Sequence, residues 1–193
     1  MCNFLSAVVL RNGDVLTHPL LDSHSDLVTW FKLPDALSHH QHFAKVELTP
    51  QDDWLNPDTW RFRLDEETVP GWWDDVMVQA ETTLRDRAKA MIVTTGRKDL
   101  ILEGCWILAG DAEFGSVRGG RIVRMLGGTL TAMRGGTLTE MWGGTLTEMR
   151  GGTLSKRDER YITLSAQATK FLADLEPKPP KARTVKRKKA AKK

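Results

Sequence analysis

The chain has 193 residues and 40% apolar content, enough for one ordinary domain or two small ones, which excludes a wholly disordered protein. Its formal charge of +3 conceals a split: Pro177 to Lys193 carries nine Lys or Arg and no acid, leaving 19 − 25 = −6 for everything before it. Two widely separated cysteines, Cys2 and Cys105, exclude a disulfide framework, and the longest apolar stretch, Leu100 to Gly110, is interrupted by Glu103 and Gly104 and falls short of the ~18 to 20 residues of a spanning helix.

Phe4 to Leu10 and Val15-Leu16 are apolar runs on either side of Arg11-Asn12-Gly13-Asp14. The Asn-Gly pair predicts a β-hairpin with a type I′ turn. Asp22 or Ser23 is the expected N-cap of a helix with Leu27, Val28, Trp30 and Phe31 on its apolar face, stopped by Pro34. Strands are predicted at Phe43 to Leu48 and at Trp60 to Leu64, where Trp60, Phe62 and Leu64 alternate with Arg61 and Arg63. After Pro70 the period becomes 3.6, with Trp72, Trp73, Val76, Met77, Ala80, Leu84, Ala88 and Met91 on one face of a long helix. Residues 1–102 thus read as a small α+β module.

Gly-Gly then recurs at 119, 127, 135, 143 and 151, a strict spacing of eight, between near-identical words such as Thr129-Leu130-Thr131-Ala132-Met133 and Thr137-Leu138-Thr139-Glu140-Met141. The same frame, extended outward, aligns Trp106, Phe114, Ile122, Leu130, Leu138, Leu146, Leu154 and Ile162 in one row and Ala109, Val117, Met125, Met133, Met141 and Met149 in another. In Thr-Leu-Thr the leucine faces one side of a strand and the threonines the other, and the glycines supply corners with positive φ. Two glycines per octad exclude a helix, each costing about 1 kcal/mol relative to alanine. The residues preceding Gly-Gly alternate (Arg118, Leu126, Arg134, Trp142, Arg150), so the better period is sixteen, which favours two octads per coil over a three-sided coil of twenty-four. The prediction is a two-sided β-solenoid over 103–166 with sixteen residues per coil, a short capping helix over 167–176, and a disordered basic tail over 177–193.

On such coils Arg118, Arg134 and Arg150 stack along one edge as a candidate anion stripe, and Leu126 with Trp142 along the other as a candidate self-association surface. The tail residues Lys178, Lys181, Arg183, Lys186, Arg187, Lys188, Lys189, Lys192 and Lys193 are expected to bind nucleic acid without sequence preference, through release of counterions from phosphate. Cys2 is the candidate nucleophile, since loss of Met1 would leave its α-amine as its own base. His39, His40 and His42, with His18 and His24 upstream, match no standard metal spacing, so no metal or cofactor is expected.

The opening Met1-Cys2-Asn3-Phe4-Leu5-Ser6-Ala7-Val8-Val9-Leu10-Arg11-Asn12-Gly13-Asp14, with Asp22-Ser23-His24, Trp60 to Asp65 and C-terminal octads, resembles a family of uncharacterised phage and prophage proteins. Two unpaired cysteines and an N-terminus without a leader pattern predict an intracellular, reduced protein, and the resemblance implies a phage-like origin, hence the host cytoplasm or association with the virion. The octads more weakly resemble the sixteen-residue coils of bacterial ice nucleation proteins, through Thr129-x-Thr131, Thr137-x-Thr139 and Thr145-x-Thr147, but supply only about two rungs per face. The Met-Cys start is similar to glutamine amidotransferases of the N-terminal nucleophile type and to proteins that crosslink abasic DNA, although Asn3 replaces their usual glycine. The leading expectation is a non-enzymatic scaffold that forms homo-oligomers, meets a protein partner and nucleic acid, and has no membrane contact. The alternatives are an enzyme or DNA-adduct former using Cys2, and a water-ordering threonine surface.

Overall fold

The computed structural model describes residues 5–34 and 39–175. The chain begins with a four-stranded antiparallel sheet in the order β2-β1-β3-β4, formed by β1 (Leu5–Leu10), β2 (Val15–Leu16), β3 (Phe43–Thr49) and β4 (Arg61–Leu64). Strand alternation splits the residues of β1 between two layers. Ala7 and Val9 face α2 (Trp73–Met91), whose Trp73, Val76, Ala80, Leu84 and Ala88 are buried, while Val8 packs on Leu27 and Val28 of α1 (His24–Trp30). The sheet is therefore filled from both sides by the two helices.

One local expectation is corrected. The hairpin does not use a two-residue type I′ turn: Leu10 N donates to Asp14 O at 2.8 Å, Gly13 N donates to Leu10 O at 2.8 Å, and Gly13 alone takes positive φ, 90°. This is a three-residue loop with a glycine bulge, which also follows the twist of the strands. Asn12 braces it from outside, its Oδ1 accepting from Asp14 N at 3.1 Å. Ser23 stands at the N-cap of α1, one of the two expected positions, without a side-chain hydrogen bond, and Asp22 pairs instead with Arg121, 2.8 Å away.

The second part of the chain is a β-solenoid of about five turns. Its parallel pairing starts upstream of the octad words, immediately after α2, where β5 (Ile92–Val93) pairs with β7 (Cys105–Leu108) and β6 (Arg97–Ile101) pairs with β8 (Glu113–Val117). It continues through β9 (Arg121–Met125), β10 (Thr129–Met141), β11 (Gly144–Arg157) and β12 (Ile162–Leu164). Leu130 lies opposite Leu146 and Leu138 opposite Leu154, so equivalent positions are sixteen residues apart. Phe114, Leu130 and Leu146 from one face meet Ile122 and Leu138 from the other, and the sulfur row Met125, Met133, Met141 and Met149 fills the space beside them, all buried. Leu154 is only half-buried. Of the threonines, Thr131, Thr147 and Thr153 are exposed, whereas Thr129, Thr137, Thr139 and Thr145 are half-buried.

At both ends the octad frame slips. Leu108, not Ala109, stands opposite Met125, because the ladder is irregular between Trp106 and Ile107. Leu164, not Ile162, stands opposite Leu146. The slip at the far end leads into α3 (Ala166–Leu175), which lays Ala168 and Leu172 on the core of the last coil. Gln167 bonds the last strand edge as a neighbouring strand would: its Oε1 accepts from Met149 N at 2.8 Å and its Nε2 donates to Met149 O at 2.7 Å. At the near end Ile107 is buried in the same cluster as α2, so module and solenoid share core.

The corners explain why the pairs are Gly-Gly. A Cβ on Gly135 would sit 2.3 Å from the Arg118 carbonyl oxygen of the preceding coil, and Gly136 has φ of 73°. The first glycine is required by the neighbouring backbone and the second by its own conformation. Gly135→Ala is therefore expected to lower unfolding free energy by roughly 1–3 kcal/mol through overpacking, while Thr131→Ala on the exposed face changes it by less than about 0.5 kcal/mol. Urea denaturation of the two variants checks this; equal midpoints would mean that successive coils do not meet at Gly135.

Candidate functional site

Stacking of coils turns a sequence interval of sixteen into a vertical ladder, and the described surface carries two charged ones. Arg118, Arg134 and Arg150 occupy equivalent exposed corners. The stripe is partly neutralised: Arg134 Nη2 lies 3.8 Å from one carboxylate oxygen of Glu148, and the Arg150 guanidinium contacts the other. A second ladder, Arg124–Glu140–Lys156, alternates in sign up one face. Glu140 accepts from the Arg124 guanidinium below, faces Lys156 Nζ at 3.4 Å above, and accepts from Trp142 Nε1 at 3.0 Å at the side. Burial pushes the Glu140 carboxyl up, but these donors outweigh it and hold the group below the usual carboxylate range. This ladder was readable in principle, since its members share one octad position and change sign every sixteen residues.

The same ladder ties the two parts of the molecule together. The Arg124 guanidinium lies 3.7 Å from the ring centroid of Trp54, from the module, and 6.0 Å from that of Trp142. Trp142 is thus 40% exposed but held by Glu140 at its indole nitrogen, and Leu126 at the equivalent corner one coil earlier is half-buried.

The histidines are dispersed. The His18 ring lies 4.6 Å from that of Trp30, and the backbone oxygen of His40 accepts from Trp72 Nε1 at 2.9 Å. The side chain of His39 lies outside what is described. His24 is buried: its Nε2 lies 3.0 Å from the Val46 carbonyl oxygen and its Nδ1 3.3 Å from Asp65 Oδ2. Among the described residues His24, Glu47 and Asp65 present metal-ligand atoms within 4.8 Å of one another. Arg63 takes the cation's place, its Nη2 lying 2.8 Å from Glu47 and 2.8 Å from Asp65. As built, the cluster is an ion-pair knot that pins α1 to β3 and β4.

Cys2 and the tail cations Lys178 through Lys193 lie outside the described residues. The other cysteine, Cys105, is half-buried, and burial pushes its thiol up to about 11, which keeps it protonated and a poor nucleophile at neutral pH.

Sequence reasoning missed a cleft of about 230 Å³ at the junction of the two parts, walled by the loop after β2, the end of α2 and the first coils. No periodicity signals it, because Leu5, Thr17, Asp22, Arg87, Cys105 and Arg121 come together only when the module docks on the solenoid. Arg87 Nη1 donates to Thr17 Oγ1 at 2.7 Å, and Arg121 Nη1 pairs with Asp22 Oδ2 at 2.8 Å. Among the described residues no helix is long and apolar enough to cross a membrane. Comparison with protein-family models, with curated proteins and with solved structures finds no match to this chain.

Proposed function

We propose that this protein is a non-enzymatic β-solenoid scaffold, phage-associated in origin, that engages nucleic acid through its basic C-terminal segment. The observation that carries the reading is the division of charge. Residues 177–193 hold nine cations and no acid, whereas the stacked body holds its ladder cations against its own carboxylates, Arg124 and Lys156 on Glu140 and Arg134 and Arg150 on Glu148. Nine cations with no acid among them in the sequence give residues 177–193 phosphate as the natural counter-charge. A rigid stack beside them suits the role of a platform, because every coil is fixed by its two neighbours.

Association of copies through the Leu126 and Trp142 edge is the second part of this reading. It is favoured by an indole that is 40% exposed beside a half-buried leucine, at a corner where aromatic anchors are commonly found in interfaces. The other surface on offer, the last coil at Thr153 to Arg157, carries Lys156 and Arg157, charges that discourage edge-to-edge pairing.

Fluorescence anisotropy with two unrelated duplexes and a single strand tests the first part. Binding is expected to all three, with affinity falling on the order of 1,000-fold between 50 and 200 mM salt, and to vanish on removal of residues 177–193. Unchanged binding after that removal, or none at low salt, ends the nucleic-acid reading. Light scattering tests the second: a dimer that Trp142→Ser converts to monomer is expected, and a monomer at high micromolar concentration in the unaltered chain excludes it.

A further inference from the structure

We propose that the cleft between the module and the first coils binds a small organic monoanion, a carboxylate carried on an apolar body, with Arg87 as the residue that receives the charge.

Charge is the first ground. The cleft wall contains two guanidinium groups, Arg87 and Arg121, against one carboxylate, Asp22. Asp22 is committed to Arg121 at 2.8 Å, and Arg121 also reaches Thr139 Oγ1 at 3.4 Å. Arg87, by contrast, has the neutral hydroxyl of Thr17 as its bonded partner, and among the described residues no carboxylate pairs with it. A guanidinium has five N–H donors, of which Thr17 takes one. Burial of the group disfavours its charged form, and a carboxylate would relieve that cost by a fork-to-fork pair. One monoanion brings the wall to neutrality.

The remaining wall defines the rest of the ligand. Leu5, Leu21, Ala90 and Met91 are apolar, and the protonated Cys105 thiol behaves as a small hydrophobe. The volume of about 230 Å³ exceeds the ~150 Å³ that holds benzene in an engineered apolar cavity, and is too small for a nucleotide or a peptide segment of any length. A phenyl ring or branched chain bearing one carboxylate fits both the space and the charge. The site is also built from β1, the loop after β2, α2, β7 and β9, so its occupation would stiffen the joint between module and solenoid. It is independent of the tail, and either proposal can fail without the other.

Sodium benzoate and its neutral analogue benzamide are the probes, titrated into the full chain by calorimetry and by amide-shift NMR. At a modest efficiency per heavy atom, benzoate should bind one-to-one with a Kd on the order of 1 mM and benzamide at least tenfold more weakly. Shifts should centre on Thr17, Leu21 and Cys105. Arg87→Gln, which keeps a donor for Thr17, should weaken benzoate at least tenfold, whereas Arg61→Gln on the exposed side of β4 leaves it unchanged. The shift map needs no variant, so a misfolded Arg87→Gln does not obscure the result. Absence of saturable binding, shifts confined to residues 177–193, equal affinity for benzamide, or binding that appears only once residues 1–4 are removed would each overturn the proposal, the last by making that segment the occupant.

Discussion

Successive coils of this protein come so close at their corners that no side chain fits between the backbones. A Cβ at Gly119, Gly135 or Gly151 would meet the carbonyl oxygen of the coil before it at 2.0 to 2.6 Å, and the residue after each of these turns with positive φ. With the corners fixed, the strands between them stack in parallel, and identical positions fall above one another every sixteen residues. Leucine meets leucine, methionine meets methionine, and charges form columns. The side-chain rows are a consequence of the corner contact, and so are the two ladders that give the surface its electrostatic character.

A stack of this kind must be closed at both ends, since each terminal coil would otherwise present unpaired backbone. At the start, closure and attachment are the same event: α2 passes directly into β5, Ile107 enters the module core, and Trp54 of the module lies on Arg124 of the solenoid. At the far end the cap combines apolar packing by Ala168 and Leu172 with the two hydrogen bonds of Gln167, a side-chain amide standing in for a missing strand. The junction cleft arises from the same docking, between the loop after β2, the end of α2 and the first coils.

What could be read from the sequence divides along these lines. The glycine spacing and the alternation of Arg118, Leu126, Arg134, Trp142 and Arg150 made the solenoid and its sixteen-residue coil legible, because both are local patterns repeated many times. The 3.6 period from Trp73 to Met91 did the same for α2. Where repetition ends, so does legibility. The first strands of the stack, Ile92–Val93 and Arg97–Ile101, carry no Gly-Gly word, and the frame slips at Trp106 and before Ile162 where the coils adapt to their caps. The Asn-Gly turn was read by composition alone, whereas its geometry depends on the register between β1 and β2. The pairing of Arg121 with Asp22 and the isolation of Arg87 depend on contacts between segments tens of residues apart, and no single-sequence pattern encodes them.

A coil of two octads with distinct faces is the central feature of the fold, and pairs of exposed side chains at intervals of sixteen and twenty-four distinguish it from any other coil size. Thr131, Thr147 and Ser155 are all exposed. With Leu130 opposite Leu146 and Leu138 opposite Leu154, Thr131 and Thr147 belong to neighbouring strands of one face, roughly 4.8 Å apart, whereas Ser155 belongs to the other face. Nitroxide labels on Thr131→Cys with Thr147→Cys, and on Thr131→Cys with Ser155→Cys, each in a Cys2→Ser, Cys105→Ser background, are the direct readout by electron spin resonance. Strong dipolar broadening in the first pair and weak broadening in the second is the expected result. The reverse order, with the pair twenty-four residues apart the closer, would contradict the two-octad coil.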